Sequence, residues 1–194
     1  MRTLALSLVL ALPLSAPVAP VAFAQRPPMA VDTARAGLVG DLLEQLAQGE
    51  TKLLGIARVM SDSAWRWRPG PGVRSTHEVF VHVAGENYYA AAKWGGRSAR
   101  RSGVTGAAHA EADAYERRTF TRAQAIAAVG ESFALLRASL AALPDSALEQ
   151  KTEYARREVS VRTAWVRTAT HLHEHLGQVI AYARANGVTP PWSR

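Results

Sequence analysis

Near the C-terminus, the run His171-Leu172-His173-Glu174-His175-Leu176-Gly177-Gln178 sets two histidines four residues apart, in a segment whose apolar positions recur at helical spacing. On an α-helix, side chains four apart stack on one face, so the imidazoles of His171 and His175 reach a common point. That is a spacing at which two ring nitrogens can grip one metal ion. The same pair also suits a helix interface in which each ring donates a proton to a backbone or carboxylate partner, and both readings stand at this point. His173 is turned roughly 200° from that face and is a poor third ligand. The best third candidate is His82, far upstream in the apolar, helix-like segment Val79-Phe80-Val81-His82-Val83-Ala84. Two helices facing each other would then complete a three-histidine site.

Other groups gather around that nucleus. Glu86 lies four residues after His82 and shares its face, as a general base, a group supporting a ligand, or simply a neighbour. Glu174 points about 100° away from its neighbouring ligands, which makes Glu86 the better candidate for proton transfer. Tyr88 and Trp65 are candidates for a pocket wall, although tryptophans before a turn also seal the end of a core. His77 falls in the first turn of its helix and reads as an exposed or capping residue, and His109 as a solvated loop histidine. The sequence contains no cysteine, which excludes thiolate catalysis, a lipoprotein anchor and disulfides. Stability has to come from packing.

The elements that must position these groups are helical. Leu38, Leu42, Leu46, Leu53, Ile56 and Met60 recur at amphipathic spacing in a first helix drawn over residues 31–60, with Asp32 or Thr33 as its cap. Residues 61–74 read as a connection through Pro69-Gly70-Pro71-Gly72. Ser75 and Glu78 form an S-x-x-E capping box that opens a second helix, which carries His82 and stops at Gly95-Gly96. Residues 97–118 are polar and Gly-rich and read as a long loop. Ile126, Val129, Phe133, Leu136 and Leu140 mark a third helix, ending near Leu143 before Pro144. Residues 145–159 are ambiguous, with a short turn over 146–149. Ser160 or Thr163 starts the last helix, which ends at Asn186-Gly187 ahead of a tail whose Trp192 is expected to fold back. With four helical patterns and no convincing strand alternation, the expectation is an all-α four-helix bundle over residues 31–194, the architecture in which metal sites are built from facing helices.

Residues 1–24 combine a single charge, Arg2, with an apolar run from Leu4 to Leu14 and the small-x-small triplet Ala22-Phe23-Ala24, the pattern of a signal peptide cut before Gln25. Pro13, Pro17 and Pro20 interrupt it as a membrane anchor. A flexible lead-in over 25–30 follows. The expectation is an exported protein, periplasmic or secreted, with no stable membrane anchor after cleavage. The formal net charge is +7, yet the basic residues are dispersed: Arg97, Arg100 and Arg101; Arg117, Arg118 and Arg122; Arg156 and Arg157. No aromatic residues interleave with them at stacking intervals, so they read as solvated faces rather than a nucleic-acid surface.

The order of these motifs resembles the DinB family: Trp67-Arg68-Pro69, a helix starting at Ser75 with His82 inside it, and a terminal helix with His171-x3-His175-x-Gly177-Gln178. The resemblance covers the chain from about Val31 to Ser193. It implies a four-helix bundle holding a divalent metal on His82, His171 and His175. It also implies relatives that transfer or isomerise with low-molecular-weight thiols, cytoplasmic cofactors that sit awkwardly with an exported chain. Imidazole ligands suit zinc or nickel, and also iron or copper. The functional expectation is a metal-dependent hydrolase or transferase acting on a small molecule. The alternative is a non-catalytic metal-binding or ligand-binding bundle, dimeric through small residues such as those at Ala90–Ala92 and over 123–128.

Overall fold

A computed structural model describes residues 37–193. The expected leader, the lead-in and the beginning of the first helix with its caps at Asp32 or Thr33 lie outside the described residues. Four long helices dominate: α1 (Leu38–Val59), α3 (Thr76–Gly95), α5 (Arg122–Ala141) and α6 (Val161–Ala185), with short helices α2 (Asp62–Arg66) and α4 (Ala110–Glu116) between them. Each of α1 and α3 packs against both α5 and α6, which closes a four-helix bundle. No helix among the described residues is long and apolar enough to cross a membrane.

Local chemistry sets where the helices start. The Ser75 hydroxyl accepts from the Glu78 amide at 3.3 Å, and the Glu78 carboxylate accepts from the Ser75 amide at 2.6 Å, completing the capping box read from the sequence. Thr121 and Gln124 build the same reciprocal pair at the start of α5. Ser160 caps α6 through the Thr163 amide. Leu46, Leu53, Ile56, Phe80, Phe133, Leu136, Leu140, Trp165 and Leu172 are fully buried, drawn from all four long helices. A chain without disulfides depends on this close-packed interior.

Three connections differ from the sequence expectation. Residues 61–74 contain α2, capped by Ser61. The presumed loop over 97–118 contains a 3-10 turn at Arg100–Ser102 and the helix α4, which packs along α3. Helix-forming Ala and Glu, together with the buried pair Ala112 and Tyr115 three residues apart, explain why the second half of that stretch folds. After the expected turn, a 3-10 segment at Asp145–Glu149, comes an antiparallel hairpin of β1 (Lys151–Tyr154) and β2 (Arg157–Ser160), paired Lys151 with Ser160 and Tyr154 with Arg157. Its two-residue turn places Ala155 (φ 49) and Arg156 (φ 63) in the left-handed region that Asn-Gly ordinarily occupies. Tyr154 stacks on Trp94 with centroids 5.4 Å apart, and Arg167 lies over its ring, docking the hairpin on α3 and α6. The tail folds back as expected, with Trp192 leaning on α1 beside Gly55 and the Lys52 ammonium.

Gly85 is a point of close approach between α4 and α3. A Cβ built there meets the Tyr115 ring at 3.3 Å and the Ala112 carbonyl at 3.4 Å. Gly85→Val is expected to destabilise the fold by about 1–3 kcal/mol through overpacking, read as a lower urea midpoint. An unchanged midpoint would mean that α4 does not dock on α3 at this point.

Candidate metal centre

His82 projects from the second turn of α3 and is 7% exposed, while His171 and His175 project from α6 and are partly buried. The three rings converge. His171 Nε2 lies 3.1 Å from His82 Nε2 and 3.0 Å from His175 Nε2. Ligands about 2.0–2.1 Å from one tetrahedral zinc would sit about 3.3 Å apart, so these separations are close to the edge of a coordination tetrahedron.

The neighbours of the rings decide what those nitrogens offer. His82 Nδ1 is in short contact with Glu116 Oε1, and a carboxylate accepts, so this ring donates from Nδ1 and leaves a lone pair on Nε2. His175 Nδ1 donates to Gln178 Oε1 at 2.8 Å, and Gln178 in turn donates to the Tyr182 hydroxyl at 2.7 Å. Its Nε2 therefore carries a lone pair as well. Two lone pairs aimed at a third ring nitrogen exceed what one N–H on His171 can satisfy. A cation satisfies all three, and the donor set therefore fits a divalent metal.

Electrostatics favour the neutral rings that such an ion needs. Burial lowers the His171 pKa to about 4, helped by the adjacent His175 and His82 and by the Arg74 charge. Burial likewise lowers that of His175. For Glu116 burial acts upward, but the His82 hydrogen bond and the Arg74 guanidinium outweigh it and hold the carboxyl below its ordinary value. Arg74 donates to Glu116 Oε2 from Nη2 at 3.0 Å and from Nε at 3.3 Å.

Glu86 stays close, because its carboxylate, that of Glu116 and a ring nitrogen of His82 lie within 4.8 Å of one another. Burial raises its pKa, against the opposing pull of His109 and His82. His109 is not the unpartnered loop residue expected: it stands at the start of α4, with Nε2 2.8 Å from Glu86 Oε1 and its ring against Tyr89. His77 is no free cap either, since its Nδ1 accepts from the Trp65 indole at 2.8 Å. His173 faces away from the cluster, with its Nε2 buried and feeling Lys52 of α1. Glu174 is exposed.

Trp65 and Tyr88 are not brought to the histidines. Trp65 lines a cavity with Asp62, His77 and Arg122, and Tyr88 lines another with Tyr115 and Arg118; neither includes a histidine of the cluster. Glu116, Arg74 and His109 are contributors with no motif in the sequence to announce them, and Gln178 lies within the histidine run but takes its role only from the fold. Glu116 was hidden because its helix looked like loop. Gln178 carried a signal in its position three residues after His175.

The DinB superfamily model matches residues 45–179. No curated protein matches the chain. Among solved structures, a DinB-like protein of Bacillus subtilis, YjoA, is similar at 14% identity and a TM-score of 0.58 over 77% of this chain and 94% of its own. YfiT of Bacillus subtilis, described as a probable metal-dependent hydrolase with an unusual four-helix bundle topology, is similar at 16% identity and a TM-score of 0.62, over 80% of this chain and 93% of its own. At these identities the likeness is one of fold.

Removing the group that orients His82 should weaken metal binding without touching a ligand. Glu116→Ala is expected to raise the zinc dissociation constant about 10–100-fold, measured by chelator competition, with the helical circular dichroism retained. Unaltered affinity would show that Glu116 does not set the His82 tautomer.

Proposed function

This chain belongs to the DinB superfamily, and from that premise we propose that it is a divalent-metal-dependent hydrolase or transferase acting on a small molecule, with His82, His171 and His175 as the metal ligands. One observation carries the reading: ring nitrogens of His82 and His175 lie 3.1 and 3.0 Å from that of His171, each held by Glu116 or Gln178 so that its lone pair faces His171. The description of YfiT as a probable metal-dependent hydrolase supports the same direction.

When bound, a divalent metal on three neutral histidines supplies a Lewis acid with a coordination position left open for substrate or water. Zinc and nickel are the proposed ions, with iron and copper also compatible with imidazole ligands. The protein's share is positioning. Glu116 accepts the Nδ1 proton of His82 and is itself fixed by Arg74, and Gln178 does the same for His175 with Tyr182 behind it. Glu86 is the proposed proton carrier. Its carboxylate stands beside the cluster rather than within the histidine triad and is backed by His109, whose half-exposed ring opens a route to solvent. We also propose that the mature protein is exported, on the pattern of residues 1–24.

The decisive comparison is the metal content of untagged protein beside a His82→Ala, His171→Ala, His175→Ala variant. About one equivalent of zinc or nickel is expected in the former and none in the latter, with the bundle still folded; full occupancy in the variant would remove the assignment. Glu86→Gln is expected to keep its metal, since it loses a proton carrier and no ligand. Metal loss there would make Glu86 a ligand instead.

A further inference from the structure

Arginines that look dispersed along the sequence are partly gathered by the fold. A cavity of about 690 Å³ beside α4 is lined by Arg68, Arg74, Arg117 and Arg118, with Glu78, Asp113 and Glu116 among them. Most of these charges are already engaged. Arg68 pairs with Glu78 at 2.8 Å and donates to the Val73 carbonyl. Arg118 lies over the Tyr115 ring and donates to the Arg101 carbonyl. Asp113 lies 3.5 Å from His109.

Two guanidinium groups keep free edges. Arg74 spends Nε and Nη2 on Glu116, leaving Nη1 without a partner, and the Arg117 side chain makes no ion pair or hydrogen bond among the described residues. Arg74 is also held in place by the carboxylate that steadies His82, so an incoming group meets a pre-ordered donor. A guanidinium edge matches the paired oxygens of a carboxylate or phosphate. The cavity is one carboxylate away from the histidine cluster, because Glu116 lines the first and contacts the second.

We propose that Arg74 and Arg117 anchor an anionic group, a carboxylate or phosphate, on the small molecule handled at the histidine site. That this molecule reacts at the histidine site rests on the function proposed above; the anion site itself does not need the metal. Arg117 gives the cleaner test, because Arg74 also supports Glu116. Inorganic phosphate and acetate are titrated calorimetrically into the full chain, loaded with zinc and freed of excess metal, and into Arg117→Gln, Arg117→Lys, Arg74→Gln and His171→Ala. Loss of one charge-assisted contact should weaken binding of the preferred anion about tenfold in Arg117→Gln, with less loss in Arg117→Lys and with zinc content unchanged in both. Arg74→Gln should weaken it as well, and His171→Ala should leave it intact. Anion binding that is absent from the wild type, indifferent to Arg117→Gln, or abolished by His171→Ala would overturn the anchor, the last because the anion would then be a mere metal ligand. Should the wild type bind the anion through Arg117 while holding no metal, the anchor stands and the metal assignment falls.

Discussion

Nitrogen lone pairs that face one another repel unless a proton or a cation sits between them. In this bundle two such lone pairs, on His82 and His175, are turned toward His171 by acceptors on their far sides. Much of the remaining architecture follows from keeping that arrangement in place. Helices α3 and α6 must pack side by side, α4 must bring Glu116 to the outer edge of His82, and Gly85 must stay bare for α4 to approach. On the adjoining face of α6, Leu172 fills the space beside Gly49 of α1, fixing the rotation of the helix that carries the pair.

The parts of this arrangement written into single helices were legible in sequence. The i, i+4 pair, the capping box at Ser75 and the four amphipathic patterns each depend on neighbours a turn apart. The groups supplied by short or unusual elements were not legible. Glu116 belongs to a helix of two turns, too short for periodicity to separate from loop. The hairpin bends through Ala155 and Arg156, which carry none of the turn chemistry that ordinarily announces a positive φ. Tyr88 does not reach the histidines for a reason that the sequence did contain: six positions beyond His82 it is turned roughly 240° around the helix, toward α5 rather than α6. Its hydroxyl accordingly reaches the Ala128 carbonyl.

The charges around the cluster are arranged with opposite signs at its two ends. Toward the start of α3 stands Arg74, whose field reaches His171 and His175 of α6. Toward its end stands Glu86, with Tyr89 and Tyr154 near enough for its charge to add to the burial that raises their pKa values. A bound molecule would meet this gradient along the α3 axis. The cluster of Arg117, Arg118 and Arg122 is better divided by what each faces: Arg118 holds a loop, Arg122 caps the carbonyl end of α1 through Ala57 and Met60, and the Arg117 side chain makes no ion pair among the described residues.

The histidines that meet at the centre come from residues 89 apart in the chain. A cation gripped by both would act as a covalent staple does, closing a loop of about 90 residues in the unfolded chain, and on a chain-entropy account such a closure removes about 4–5 kcal/mol of denatured-state freedom. A protein without cysteine would thereby gain a cross-link that is not a disulfide, one that is made or undone by the supply of metal around it.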